Sequence, residues 1–262
     1  MSQFVRDGVT LRYEVTGDHE RPWLFFSNSL GADFSMWERQ LAAFSRCFQV
    51  LRCDTRGHGQ SSVPPGPYTI AQLGEDVLAL ADHVGAKHFH FCGLSMGGLI
   101  GQWLALNAPQ RLEKLVLCDT AARIGSPETW SDRIRVVESG GMGAIVEGGL
   151  QRWFTQRFFR EHADVGNRFR SMILSTAPPG YIANCMAISQ ADFRSSVHAI
   201  SVPVLVVCAT HDPVTSVADA QFLVDSIRGA QRLELDAAHL SNVEQADVFN
   251  REVIRFLERT SN

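Results

Sequence analysis

The sequence predicts an α/β domain: a mostly parallel sheet flanked by helices and interrupted by a helical insert. Three observations carry that prediction. Short apolar runs of strand length alternate with segments of helical period. The alternation stops after Asp119 and resumes at Val202. One junction, HFCGLSMGGLIGQW at 90–103, crowds four glycines around a serine where a strand hands over to a helix.

Taken in order, strands are expected at TLRYEV, WLFFSN, FQVLRCD, HFHFCG, LVLCD, VLVVCAT and RLELD. Between the early ones lie helical segments. MWERQLAAF is the first, and IAQLGEDVLALADHVG the second, with Leu73, Val77, Leu80 and Val84 at helical spacing. MGGLIGQWLALNAP is the third and stops at Pro109. From about Ala122 to Ser196 only helical patterns and breakers appear. SPETWSDRIRVVESGG opens with Ser126 as N-cap and Pro127 at the first helical position, and ends at a glycine pair. Further helices are expected over 142–153, 164–175 and 180–190. Residues 122–196 thus read as a helical cap on a core domain made of 1–121 and 197–262. Ser241 with Glu244 reads as a capping box opening the last helix.

Composition narrows the function. With 45% hydrophobic and 20% charged residues the chain is ordinary globular protein, and a net charge of −4 without a basic run excludes a phosphate-tracking surface. Nucleic acid is therefore not an expected partner. No apolar run reaches the ~18 residues of a membrane span, and MSQFVRDGVTLRYEVTG lacks the apolar core of a signal peptide. A cytoplasmic location is expected. The six cysteines form no C-x-x-C pair. They read as small buried hydrophobes in a reducing compartment, and no metal site is expected. Composition does not speak to oligomeric state.

GLSMG at 93–97 fits G-x-S-x-G in the strand–turn–helix context the motif requires. A serine at the tip of such a turn has a strained backbone, so its neighbours two residues away must be small. Its Oγ must project above the sheet, and Met96 must aim its N–H at a developing oxyanion. A phosphate-binding loop would need G-x-x-x-x-G-K-[ST] or G-x-G-x-x-G, and neither occurs.

A serine hydroxyl is a weak nucleophile until a base takes its proton, and that base needs an orienting acid. Of nine histidines, His239 follows the strand-like RLELD in a loop, at the strand end where ligands bind in open α/β sheets. His58 is a loop residue too, but it precedes the cap, out of the required order. For the acid, Asp212 ends VLVVCATHD, and Asp119 after KLVLC is its competitor. The order Ser95, Asp212, His239 matches the hydrolase arrangement of this motif.

With these residues in place, the whole chain resembles the α/β-hydrolases with a helical cap, and within them the 3-oxoadipate enol-lactonases. SNSLGADFSMWERQ, VLRCDTRGHGQSS, CGLSMGGLIGQWLA, LVLCDTAARIG and VCATHDPVT carry the resemblance. It implies an eight-stranded, mostly parallel sheet. Asn28-Ser29 stands where most relatives have His-Gly, so the second oxyanion donor implied is the Leu30 backbone N–H, beside that of Met96. The implied substrate is a five-membered unsaturated lactone with a carboxymethyl arm, opened to 3-oxoadipate in aromatic-compound catabolism by the protocatechuate/β-ketoadipate route. No metal or organic cofactor is implied. A carboxylesterase, carbon–carbon bond hydrolase or perhydrolase of the same fold, or a non-catalytic small-molecule receptor, would carry much of the same pattern.

A carboxylate on the substrate needs a partner in a partly dry pocket. Both lysines, Lys87 and Lys114, fall in the core, whereas the cap is rich in arginine. Within SPETWSDRIRVV, Trp130, Ile134 and Val137 form an apolar stripe that Arg133 joins at i+3 from Trp130. Arg133 either snorkels to solvent or reaches into the pocket beside Trp153. On the second reading Trp130, Arg133 and Trp153 bind the substrate.

Overall fold

Continuous apolar runs make strands buried on both faces, and that is how the centre of this sheet is built. In the computed structural model, which describes residues 2–259, β5 (Phe89–Leu94) and β7 (Val204–Ala209) are buried at every position. With β1 (Ser2–Arg6), β2 (Val9–Thr16), β3 (Trp23–Ser27), β4 (Gln49–Cys53), β6 (Leu112–Cys118) and β8 (Gln231–Leu235) they form one eight-stranded sheet. The order is β1-β2-β4-β3-β5-β6-β7-β8. All neighbours pair in parallel except β2, which is antiparallel to both β1 and β4. This is the alpha/beta hydrolase fold. β1 lies outside the seven strands the apolar runs predict, because four of its five residues are exposed and it has no apolar run.

Parallel strands need crossover helices. α1 (Glu38–Phe44), α2 (Ile70–His83) and α3 (Met96–Asn107) supply the early ones and α9 (Val217–Ser226) the one from β7 to β8, while α10 (Ser241–Glu244) and α11 (Ala246–Glu258) follow the last strand. Between β6 and β7 the chain runs instead through α4 (Pro127–Gly140), α5 (Val146–Trp153), α6 (Gln156–Glu161), α7 (Ala163–Ser175) and α8 (Pro178–Gln190). At α4 the expected cap forms: Ser126 Oγ accepts from the Thr129 N–H, with Pro127 in the first turn.

The expected capping box at Ser241 and Glu244 does not form. Ser241 Oγ donates instead to the buried Asp119 carboxylate at 2.6 Å. The Glu244 carboxylate accepts from the N–H and hydroxyl of Thr155, at 2.5 and 2.9 Å, tying the start of α6 to α10. A buried carboxylate and an unsatisfied helix start are stronger claimants than a local turn.

The six cysteines are free, the Cys92 and Cys118 sulfurs lying 3.7 Å apart. Among the described residues no helix is long and apolar enough to cross a membrane, and no group of three His, Cys, Asp or Glu side chains could hold a metal ion.

Candidate active site

The glycines around Ser95 are there because backbone passes where side chains would sit. A Cβ at Gly93 would overlap the Gly97 carbonyl, and one at Gly97 the Ser27 carbonyl. That packing lets β5 turn directly into α3 at Ser95, whose φ of 58° and ψ of −111° are strained for a residue with a side chain. The strain is held from both sides. Ser95 N–H donates to Cys118 O at 2.9 Å, and Thr120 Oγ1 donates to Ser95 O at 2.8 Å. The serine side chain then faces a cavity of about 180 Å³ that His239 also lines.

His239 sits in the loop after β8, and its Nδ1 lies 2.7 Å from Asp212 Oδ2. Both side chains are buried, 2% and 0% exposed, so the pair is shielded from solvent screening. With Nδ1 engaged, Nε2 is the ring nitrogen left for other work. Asp212 also accepts from Val214 N–H and Thr215 Oγ1, each at 2.7 Å. Burial pushes its carboxyl up, but the facing imidazole and these hydrogen bonds outweigh it and hold the pKa below the usual value. Asp119, the competing acid, is bonded to Ser241 and not to His239. Burial, and then the charge of Asp212, drive its pKa well above the ordinary carboxylate range.

Two backbone N–H groups are unspent among the described residues, one on the cavity wall and one at the start of α3. In the loop after β3, Ser29 N–H points at Met36 Sδ, Gly31 N–H donates to His58 Nε2 at 2.8 Å, and Ala32 N–H to Ser29 O at 3.1 Å. The Leu30 N–H between them has no acceptor among the described residues. Met96 opens α3, so its N–H has no acceptor within the helix. Such a pair can receive an anionic oxygen. His58 holds this loop as a neutral acceptor, since burial pushes its pKa down to about 4.

The opposite wall comes from the cap helices, where Trp130, Arg133, Arg152, Trp153 and Tyr181 line the cavity. Arg133 reaches the cavity, its Nη1 3.4 Å from the Tyr181 hydroxyl and its guanidinium carbon 5.7 Å from the Trp130 ring centre. Burial pushes Tyr181 up to about 12, which keeps it a neutral phenol. Among the described residues, no Asp or Glu lines the cavity.

The structure therefore brings Ser95, His239, Leu30, Trp130, Arg133 and Trp153 to one cavity, with Asp212 behind His239. Met96 adjoins Ser95 in the chain and opens α3. Sequence reasoning missed Arg152, Tyr181 and the loop-holding role of His58. Arg152 carries a usable signal: it lies i+3 from Gly149, on the edge of the buried face of α5. Tyr181 carries none, because its position depends on how the segment after Asp119 folds back over the sheet, and His58 carries none, because its partner Gly31 lies in a different loop.

The site geometry is that of a hydrolase built on strand ends, and comparison with known proteins agrees. Residues 22–246 match the model of the alpha/beta hydrolase fold family, and the chain belongs to that family. It is 43% identical over 251 residues to 3-oxoadipate enol-lactonase 2 of Acinetobacter baylyi, covering 96% of this chain and 94% of that protein. 3-Oxoadipate enol-lactonase 1 of the same organism is 37% identical, over 93% of this chain and 91% of its own length. Among solved structures, the enol-lactonase from Burkholderia xenovorans LB400 superimposes with a TM-score of 0.97 at 45% identity, covering 98% of this chain and all of that one.

Proposed function

We propose that this protein is a serine hydrolase that opens the ring of 3-oxoadipate enol-lactone, adding water to give 3-oxoadipate. The observation that carries the reading is one cavity lined by Ser95, an imidazole backed by a buried carboxylate, and two arginines with no carboxylate on the cavity wall among the described residues. In this reading Ser95 Oγ attacks the ring carbonyl while His239 Nε2 takes its proton. The Leu30 and Met96 N–H groups hold the tetrahedral oxyanion. Collapse breaks the ring C–O bond, and the leaving group is an enolate, better than a simple alkoxide. That enol oxygen takes the proton from His239 and tautomerises to the ketone. The whole substrate is then esterified to Ser95. A water molecule, deprotonated by His239, attacks the ester carbonyl, and the serine recovers its proton as the acid leaves.

The substrate carboxylate is assigned to Arg133, whose planar fork suits two oxygens, with Trp130 and Trp153 walling the ring. The partner is thus a small anionic lactone and not a nucleic acid or a membrane. Six free cysteines fit a reducing cytoplasm, where we place the protein. The test offers purified protein the enol-lactone and a p-nitrophenyl ester side by side, following loss of the ring chromophore. The lactone is expected to be strongly preferred. A strong preference for the ester would replace this reading with a carboxylesterase.

A further inference from the structure

Arg152 has no part in the chemistry above, yet it is a cavity residue. It lies in the last turn of α5, beside Trp153. Its guanidinium has no ion-pair partner or hydrogen bond among the described residues. Burial, and then the charge of Arg133, hold its pKa below the ordinary arginine value. Two cations share a wall that carries no acid, an unfavourable arrangement until an anion enters between them.

The same residue touches the catalytic loop through its backbone. The last carbonyls of a helix have no partner inside it. Here those of Arg152 and Trp153 accept the N–H groups of His239 and Leu240, at 3.3 and 3.0 Å. The loop carrying the base therefore hangs from the turn that carries the second arginine.

We propose that Arg152 and Arg133 hold one substrate carboxylate between them, and that Arg152 is a positioning residue through which that carboxylate sets His239. The substrate's charge then acts on kcat as well as on KM. This rests on the serine-hydrolase reading of the site but not on the lactone ring, and the test is chosen accordingly. Two near-isosteric chromogenic esters, p-nitrophenyl hemisuccinate and p-nitrophenyl 4-methylpentanoate, are compared in the wild type, Arg152→Met, Arg152→Lys, Arg133→Met and the double methionine variant. Folding is checked by thermal unfolding, and the lysine variant stands in if a methionine variant fails to fold.

The wild type is expected to prefer the acid ester. Arg152→Met should lower kcat on the acid ester about tenfold and cut the acid-over-neutral ratio of kcat/KM about 30-fold. Lysine should recover KM more than kcat, because an ammonium lacks the rigid fork. The double variant should lose less than the product of the single losses, since both side chains act on one group. A rise in KM with kcat intact would overturn the positioning role. Equal fractional losses on both esters, or no wild-type preference for the acid, would overturn the two-arginine site. Arginine-dependent acid preference in an enzyme that ignores the enol-lactone would remove the lactone reading and leave this one standing.

Discussion

β6 and β7 each lead into a buried aspartate, and the two differ in everything but position. Asp212 accepts three hydrogen bonds, from Val214, Thr215 and His239, and is held ionised. Asp119, at a φ of 42°, takes two side-chain hydrogen bonds from Ser241 on one oxygen, and its other oxygen has no hydrogen-bond partner among the described residues. Its carboxyl is driven well up by burial. A strand end delivers an acid to the site, but donors decide whether it is a charge. The same rule runs beyond the aspartates: His58, buried and without an ion pair among the described residues, is kept neutral, and the arginines of the cap wall have no carboxylate partner among the described residues.

The most drastic way to break the comparison is to remove the group both aspartates would serve. Ser95→Ala should abolish turnover by on the order of 10⁶-fold while keeping the fold. Retention of more than a tenth of wild-type activity in a steady-state assay would make both carboxylates irrelevant to the chemistry. Next, Asp212→Asn should cost roughly 10⁴-fold in kcat, because the imidazole loses its orienting partner. Asp119→Asn should cost far less, since the amide still accepts from Ser241. A reversal of the two would put the acid on the other strand.

The cap offers a smaller effect of the same kind. Arg133→Ala should cost roughly 2–5 kcal/mol in kcat/KM on the acid lactone, about 30-fold or more. The loss on a neutral lactone should be much smaller. Equal losses would mean that Arg133 supports the cap and meets no carboxylate.

The smallest effect concerns stability. The pKa of His58 falls from 6.5 to about 4 on folding, so between those values the unfolded chain binds a proton that the folded one refuses. Its contribution is complete above pH 6.5 and is lost as pH falls toward 4. The gap is worth up to about 3 kcal/mol. Urea titrations at both pH values should show His58→Gln losing less stability on acidification than the wild type, by up to that amount. An identical loss would mean that His58 is already protonated in the folded state.

Much of this is legible in the sequence because the centre of the sheet is buried on both faces and writes itself as unbroken apolar runs. β1 is illegible for the opposite reason, being an exposed edge strand. Ser95 is legible because close backbone approach demands glycines at fixed offsets, and Asp212 and His239 because each follows a recognisable strand. Apolar runs alone do not separate Asp212 from Asp119, since both close one; the sequence reading takes Asp212 with Asp119 as its competitor, and the structure pairs Asp212 with His239. The cap wall is hardest to read. Arg152 is its most readable residue, on the edge of the buried face of α5, whereas Tyr181 depends on how the segment after Asp119 folds back over the sheet.

The most direct measurement is the rate at which a fluorophosphonate labels the protein, followed by intact mass and peptide mapping, in the wild type, Asp119→Asn and Asp212→Asn. One label per chain on Ser95 is expected, at similar rates in the wild type and Asp119→Asn and roughly 10⁴-fold slower in Asp212→Asn. Labelling at any other residue, or slow labelling in Asp119→Asn with normal labelling in Asp212→Asn, would contradict a Ser95 nucleophile activated by His239 and Asp212.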